Sequence, residues 1–427
     1  MQEDFLHYIW KFKKFDFANA ATVDGSPVVI SNTGVHNTNS GPDFFNSRLK
    51  IGDQSWAGNV EIHIRSSDWY AHKHEEDPNY DNVILHVVWE DDIEIFRKDN
   101  TSIPTLELKK LVGEDILQKY RNLLTAPNPR WINCEKDFPH FEDFEFNNWL
   151  ERLYLEKLQK KSEVIKDLHR ATGNNWEAVL FQLLARSFGS KVNAGAFLSL
   201  AQSIDFRIVQ KCSNSPIQLE ALLMGQSGIL DKKVEDVYYL QLKEEYDYLK
   251  RKFSLNNHVV ERPKYFRLRP DNFPTIRLSQ FASLYAGHTH LFSSVIKTNN
   301  RNDFLKIFKS DTSIYWKTHY NFGKPHPLKN KTLSESFIDL IIINTVIPIK
   351  FSWLQVTGSG DEHELLKILN DIKPEKNSIV DKFNQLRPGC GATALQSQAL
   401  LHLKNEYCDK NYCMKCHLGA GLLKGSV

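Results

Sequence analysis

The chain has 427 residues, of which 41% are hydrophobic and 25% charged, so it is long enough for two or three globular domains and too apolar for a disordered protein. The formal net charge of +2 excludes a strong overall field for nucleic acid, so any such contact would depend on a local basic patch. The acidic N-terminus does not resemble a secretory signal, and the longest apolar run, residues 338–349, is too short to span a bilayer. We therefore expect a soluble, cytoplasmic protein without membrane contact.

The first part of the chain has the short apolar runs and turn residues that are typical of β-strands. Strands are predicted over residues 27–30, 44–51, 55–64 and 83–89, with a further hairpin over 92–108. The run 83–89 is apolar enough for a central buried strand, and a crossover helix is predicted before it, over residues 69–76. Residues 1–125 are thus predicted to form an α+β domain with a mixed sheet.

From about residue 140 the apolar residues recur at helical spacing. Helices are predicted over 150–168, 176–189, 235–253, 275–286, 333–347, 362–371 and 393–407. The stretch 120–140 contains Pro127, Pro129 and Pro139 and is predicted to be a linker. Residues 140–427 are therefore expected to be mostly α-helical.

The stretch 41–69 contains a pair of carboxylates beside a histidine. If Gly52-Asp53 is a hairpin tip, paired residue numbers sum to about 104 or 105, and Asp43 lies opposite Glu61. Side chains alternate along a strand, so Glu61 and His63 share one face. Paired carboxylates suit Mg²⁺ or Mn²⁺, and a bound ion can activate water for attack on a phosphodiester.

The alternative interpretation is structural. Asp43 would cap a turn after Pro42, and Glu61 and His63 would lie on a solvated strand face. Five histidines that fall close together along the chain favour a polar cleft instead: His36, His63, His72, His74 and His86.

The predicted arrangement of these residues resembles the core of the PD-(D/E)XK nuclease superfamily. In that core an Asp opens one strand, Glu-x-Lys lies on the next, and a crossover helix follows. Asp43 and Glu61-Ile62-His63 occupy the matching positions. The resemblance implies a restriction-endonuclease-like sheet with Asp43 and Glu61 as metal ligands. His63 stands where the superfamily has Lys, so His63, or a migrated lysine at Lys73, would act on the water.

Other acidic residues are weaker candidates for the same chemistry. Glu3 is a possible additional acid. Glu107-Leu108-Lys109 fits Glu-x-Lys literally, but Asp92 is its only obvious acidic partner, so we rank it below the 43/61 pair.

Several short motifs spread over the chain carry a second resemblance. They are residues 39–44, 58–63, 67–72, 83–88 and 412–416. Taken as a whole, the sequence is similar to the bacterial family of domain of unknown function 2851, which implies no activity.

Four of the six cysteines lie near the C-terminus. Cys408, Cys413 and Cys416 form a C-x4-C-x2-C array, and Cys390 lies upstream of it. Four thiolates can hold a zinc ion or an iron–sulfur cluster. The alternative is a set of reduced, buried cysteines at helix ends.

A basic segment interleaved with aromatic residues follows residue 260. Cations with aromatic rings between them suit phosphate contact and base stacking in DNA or RNA. The rings could equally enter the core while the charges stay in water. The residues are Arg262, Lys264, Arg267, Arg269 and Arg277, with Tyr265, Phe266 and Phe273.

Two functions follow from these features. One is a metal-dependent phosphodiesterase that acts on DNA or RNA. The other is a non-catalytic nucleic-acid-binding or scaffolding protein that retains the nuclease-like core.

Overall fold

The computed structural model describes residues 1–37, 40–124, 130–288 and 290–424. The chain forms two compact units. The first unit consists of Met1–Trp149, Lys382–Pro388 and Leu401–Val427, and the second of Leu150–Asp381 and Gly389–Leu400. The C-terminal segment therefore belongs with the N-terminal sheet. Pro127 and Pro129 of the predicted linker lie outside the described residues.

Within the described residues of the first unit, six strands form one mixed sheet. Its order is β1-β3-β4-β5-β6, with β2 paired to β3. Strand β3 is antiparallel to β1, β2 and β4, whereas β5 is parallel to β4 and β6. This confirms the predicted α+β class with a mixed sheet. The strands are β1 Val28–Asn32, β2 Val35–His36, β3 Phe44–Ile51, β4 Gln54–Arg65, β5 Val83–Glu90 and β6 Thr105–Glu107.

The hairpin between β3 and β4 sets the position of the paired carboxylates. Gly52 turns the chain with a φ of 58°, a conformation that costs a glycine little because it has no Cβ. The register then shifts near Asn46, which has a φ of 58° and bonds through its backbone N–H to Oδ1 of Asn59 at 3.3 Å. A bulge of this kind re-aims the residues beyond it. It brings Asp43 beside Glu61, as the hairpin prediction requires.

Four helices lie wholly within the first unit beside the sheet: α1 (Glu3–Lys11), α2 (Asp68–Ala71), α3 (Glu114–Leu124) and α18 (His417–Lys424). Buried apolar residues of α1 (Glu3–Lys11) and of α3 (Glu114–Leu124) join the same apolar core as residues from the sheet. Helix α18 (His417–Lys424) and the turn before it add Leu423 and Met414 to that core. The tail is thus part of the packed unit.

Two elements of the first unit are shorter than predicted. The crossover helix, expected over 69–76, is the single turn α2 (Asp68–Ala71), because the chain reverses at Lys73 with a φ of 60°. The hairpin expected over 92–108 is reduced to one bridge between Phe96 and Ser102, and β6 then pairs in parallel with β5.

The second unit is built mainly of helices, as predicted. A short hairpin of β7 (His319–Asn321) and β8 (Lys324–Pro325) interrupts them. The remaining helices, some of which cross the boundary between the units, are α4 Asp143–Ala171, α5 Trp176–Phe188, α6 Ser190–Gln202, α7 Phe206–Cys212, α8 Pro216–Gln226, α9 Val237–Phe253, α10 Pro274–Ala286, α11 Leu291–Lys297, α12 Arg301–Ile307, α13 Glu335–Ile341, α14 Ile347–Thr357, α15 Glu362–Asn370, α16 Ser378–Leu386 and α17 Ala394–His402.

A π-helical turn over Ile342–Val346 joins α13 and α14 into one long apolar helix. Among the described residues, Glu335–Thr357 is the one helical segment long and apolar enough to cross a membrane. Because 72% of its most apolar window is buried inside the protein, it has the burial of a core helix.

Candidate metal centre

Strands β4 and β5 place three polar side chains side by side in the sheet. Glu61 pairs in register with His86, and His63 follows two residues later on the same face of β4. The exposed fractions are 5% for Glu61, 2% for His63 and 0% for His86. Glu61 and His63 therefore do not form the solvated strand face that the structural alternative required.

The turn after α2 brings two further histidines to this face. Nδ1 of His72 lies 3.1 Å from Nε2 of His63. Nε2 of His74 lies 3.4 Å from Oε1 of Glu61, and Nε2 of His63 lies 3.5 Å from the same oxygen. Among the described residues, His63, His72 and His74 form the one group of three whose ligand atoms all lie within 4.8 Å of one another.

These distances suit a single metal ion. Tetrahedral ligands with bonds of about 2.0–2.1 Å to zinc lie roughly 3.3 Å apart. The 3.1 Å between His63 and His72 is close to that value. The separations of 3.4 and 3.5 Å run from Oε1 of Glu61 to His74 and His63, so they place the carboxylate against the three imidazoles. Three imidazoles and a nearby carboxylate are also a donor set that favours zinc or iron over magnesium. His63, His72 and His74 could thus hold an ion, with Glu61 beside it.

His86 lies behind this group and orients it. Its Nε2 is 2.8 Å from Nδ1 of His63, on the side of the ring that faces away from His72 and Glu61. Metal-bound histidines commonly donate their second ring N–H to such a fixed partner. His86 is therefore a positioning residue rather than a ligand.

Hydrogen bonds from backbone N–H groups fix the side chains of Asp43 and Glu61. The Asp43 N–H donates to Oε2 of Glu61 at 3.1 Å, and the Ile62 N–H donates to Oδ2 of Asp43 at 3.0 Å. His7 on α1 approaches the same Asp43 oxygen at 3.2 Å. This network leaves Oε1 of Glu61 facing the histidines, whereas Asp43 is engaged with the backbone and with His7.

Burial sets the protonation of the cluster. It raises the pKa of Glu61 to about 9, and the neighbouring charge of Asp43 adds to the rise. It lowers the pKa of His63 to about 2, with further lowering from the imidazoles of His86, His74 and His72. The pKa of the fully buried His86 is lowered to about 3, again chiefly by burial. Neutral imidazoles with free lone pairs are the form that binds metal.

Asp43 also shifts the pKa of one acidic and one basic group at the edge of the cluster, Glu3 and His7. The pKa of Glu3 is raised by burial and then by the charge of Asp43, and His7 and His72 lower it. For His7, burial lowers the pKa, but the hydrogen bond and charge of Asp43 outweigh burial, so the net shift is upward. Glu3, suggested from the sequence as an additional acid, thus lies within electrostatic reach of the cluster.

A family model matches residues 3–378, and its description is a protein of unknown function (DUF2851). The chain belongs to this DUF2851 family. The whole-chain resemblance seen in the sequence is thereby confirmed, and the motif at residues 412–416 lies beyond the matched part of the DUF2851 model. The resemblance to PD-(D/E)XK nucleases is not shown by the comparison. No curated protein and no solved structure matches this DUF2851 chain.

The remaining candidates for the nuclease-like chemistry are Lys73, Glu107 and Asp92. Lys73 is exposed between His72 and His74 in the left-handed turn. In the second Glu-x-Lys motif, Glu107 pairs with Val88 in the sheet and lies 3.5 Å from Lys110. Asp92 accepts hydrogen bonds from Ser67 instead.

Three of the four predicted cysteines lie together in the first unit of this DUF2851 chain. They are Cys408, Cys413 and Cys416, whereas Cys390 is buried and belongs to the second unit. A cysteine that the sequence analysis left out, Cys134, also belongs to the first unit.

Two cations of the basic segment form ion pairs with acidic residues, and a third stacks on an aromatic ring. Arg262 lies 2.5 Å from Asp231, and Lys264 lies 3.6 Å from Glu261. Arg267 stacks its guanidinium over Phe266, whose side chain is 78% exposed. Arg269 is exposed.

Arg277 differs from the other cations of that segment. It is buried, bonds to Gln280 and Asn272, and lies over the ring of Phe337. The buried guanidinium of Arg277 therefore fits neither phosphate contact nor the alternative in which the charges stay in water.

A pocket of about 770 Å³ opens in the second unit beside the basic segment. Arg262 and Tyr265 contribute to its wall, and so do Asn321, Phe322 and Lys324 from the β7–β8 hairpin. The pocket's mixture of cationic and aromatic side chains suits an unstacked base and its phosphate.

Proposed function

We propose that the protein is a metal-dependent phosphodiesterase that acts on DNA or RNA. His63, His72 and His74 hold a transition-metal ion, for which zinc is the best match, and Glu61 is the general base. The observation that carries this proposal is the convergence of three imidazoles within 4.8 Å beside one buried carboxylate.

His63, His72 and His74 would hold the ion and leave a coordination position for water, and a zinc ion there would lower the pKa of that water to about 7. Glu61 is suited to take its proton because the Asp43 N–H fixes Oε2, while Oε1 lies 3.4 Å from a ligand nitrogen of His74. Near the positive charge of the ion the carboxylate is stabilised in its ionised form. Magnesium or manganese, which we expected from the carboxylates alone, fits this imidazole-rich set less well.

Two features support a nucleic acid as substrate. The Asp43 and Glu61 pair occupies the strand positions that the resemblance to PD-(D/E)XK nucleases implies, next to the parallel strand β5. The exposed Phe266 with Arg267 stacked on it offers a ring and a cation to a single strand.

The second candidate function is a non-catalytic nucleic-acid-binding protein with a structural metal site. The low exposure of His63, 2%, favours it because a buried ligand restricts access of a large substrate to that side of the ion. The absence of Lys from the Glu-x-Lys position points the same way.

The test compares zinc-loaded and chelator-treated protein in the hydrolysis of bis(p-nitrophenyl) phosphate, single-stranded DNA and single-stranded RNA. We expect zinc-dependent hydrolysis that is lost in His72→Ala and Glu61→Gln and kept in His140→Ala, a matched control because His140 is exposed in the same unit. Stoichiometric zinc with unchanged oligonucleotide binding and no hydrolysis of any substrate would favour the non-catalytic alternative.

A further inference from the structure

Four cysteines of the first unit come from two distant parts of the chain. Cys134 lies in the turn over residues 133–137, and Cys408 ends the π-helical turn Leu403–Cys408. Cys413 and Cys416 lie in the turns that precede α18. None of the four forms a disulfide.

Direct contacts join these two parts of the chain. Nδ2 of Asn133 donates to Sγ of Cys413 at 3.3 Å and to Oδ1 of Asn411 at 3.0 Å. Cys134 and Cys413 also pack against the same apolar core. The residue before Cys134 is therefore bonded to the C-x4-C-x2-C array.

The four thiols are within electrostatic reach of one another. Burial raises the pKa of Cys134, and the charges of Cys416, Cys408 and Cys413 raise it further, in that order. Burial likewise raises the pKa of Cys416 to about 11, with an upward contribution from Cys413. These interactions place the sulfurs of Cys408, Cys413 and Cys416 in the neighbourhood of Cys134.

The backbone around the array is arranged for sulfur ligands. The N–H groups of Leu418 and Gly419 donate to Sγ of Cys416. A Cβ at Gly419 would lie 2.3 Å from the carbonyl oxygen of Cys413, so only glycine allows this approach. Backbone N–H···S bonds are a feature of sites that hold metal-bound thiolates and tune them.

The separation of the sulfurs and their spacing in sequence favour a cluster over a single ion. Four thiolates around one zinc ion would lie about 3.8 Å apart, given Zn–S bonds of about 2.3 Å. No three of the described cysteines have their sulfurs within 4.8 Å of one another. A cluster with several irons holds its cysteines further apart because the ligands are divided among the irons. C-x4-C-x2-C is also the array of plant-type ferredoxins, although their distant Cys follows the array and Cys134 precedes it.

We propose that Cys134, Cys408, Cys413 and Cys416 ligate an iron–sulfur cluster that ties the C-terminal segment to the turn at residue 134. This ligand set takes Cys134 in place of Cys390. The site is separate from the histidine cluster and does not depend on the proposed phosphodiesterase activity.

The test is the metal and sulfide content of the full chain, purified without oxygen or reconstituted with ferrous iron and sulfide. We expect iron and acid-labile sulfide in stoichiometric amounts, with visible charge-transfer absorption. Cys134→Ser should lose both, whereas the matched control Cys390→Ser should keep them. Cys408→Ser is a second variant, because its partly exposed side chain makes misfolding less of a concern.

Other outcomes overturn the assignment. One zinc per chain without sulfide would mean a single-ion site. Retention of the cluster in folded Cys134→Ser with loss in Cys390→Ser would restore the ligand set expected from the sequence. Protein that stays free of metal after reconstitution would mean that the thiols are structural. His72→Ala should leave iron and sulfide unchanged, so failure of the two proposals can be told apart.

Discussion

Nδ1 of His63 lies 2.8 Å from Nε2 of His86, and the two rings meet edge to face with centroids 5.1 Å apart. When Nε2 of His63 binds an ion, its proton is on Nδ1, which then donates to His86. Because His86 is fully buried, this partner fixes both the tautomer and the ring plane of His63.

The first prediction concerns His86. His86→Leu removes the acceptor and should weaken zinc binding by about 10- to 100-fold, while His86→Asn, which keeps an acceptor, should lose less. Competition with a chromophoric chelator measures both affinities. Equal affinity in wild type and His86→Leu would mean that this histidine has no orienting role.

The second prediction uses the exposure of His72. Its side chain is on the surface, so His72→Ala should unfold at the same temperature as wild type in the presence of chelator. Zinc at about 100 times its dissociation constant should stabilise wild type by roughly 2.7 kcal/mol, and this gain should vanish in the variant. His140→Ala should keep it. A full zinc-dependent gain in His72→Ala would remove His72 from the ligand set.

The third prediction is a pH dependence that comes from Glu61. Its pKa in the folded protein is about 9, above the usual value of 4.5. Between these values the folded state keeps a proton that the unfolded state releases, so metal-free wild type loses stability as pH rises. The amide introduced by Glu61→Gln mimics the protonated side chain and does not titrate. The free energy of unfolding of this variant should thus rise relative to that of wild type from pH 5.5 to 8, by on the order of 1 kcal/mol per pH unit.

Urea unfolding in chelator measures this difference, and the comparison with wild type cancels the titration of the histidines that both proteins share. Glu76→Gln is the matched control, because Glu76 is exposed in the same unit. A stability difference between wild type and Glu61→Gln that stays constant with pH would mean that Glu61 is ionised in the metal-free fold.

The sheet was predictable because its signals are local. Strand β5 is one apolar run, and the tip at Gly52 fixes the register to within one residue. The bulge near Asn46 supplies the last shift, which brings Asp43 to Glu61. The end of α2 was not predictable in the same way. The left-handed turn at Lys73 ends α2 locally, where the His74 N–H bonds the Trp69 carbonyl at 3.0 Å, and a lysine at that position gives no sequence signal for such a turn.

That same turn explains what the sequence analysis missed in the site. A longer helix would have carried His72 and His74 away from His63, so only the density of histidines signalled their convergence. His7 and Cys134 gave no signal, because α1 and the turn at residue 134 meet their partners through long-range packing. Alternation along β4, in contrast, was enough to put Glu61 and His63 on one face.

The last prediction concerns the exposed ring and cation at Phe266 and Arg267. Phe266→Ala removes a side chain that is 78% exposed, so stability should be unchanged. If the ring stacks on a base, affinity for a single-stranded oligonucleotide should fall by roughly 5- to 150-fold, equivalent to about 1–3 kcal/mol. Arg267→Ala should flatten the dependence of log affinity on log salt by about 0.7, the slope for one phosphate contact on a single strand.

Fluorescence anisotropy at several salt concentrations measures both effects. Phe144→Ala is the matched control, because Phe144 is 82% exposed in the first unit. Arg262 and Lys264 already face acidic partners, so alanine at either position should change affinity less than Arg267→Ala. Binding that is as tight in Phe266→Ala and Arg267→Ala as in wild type would exclude this segment from the nucleic-acid interface.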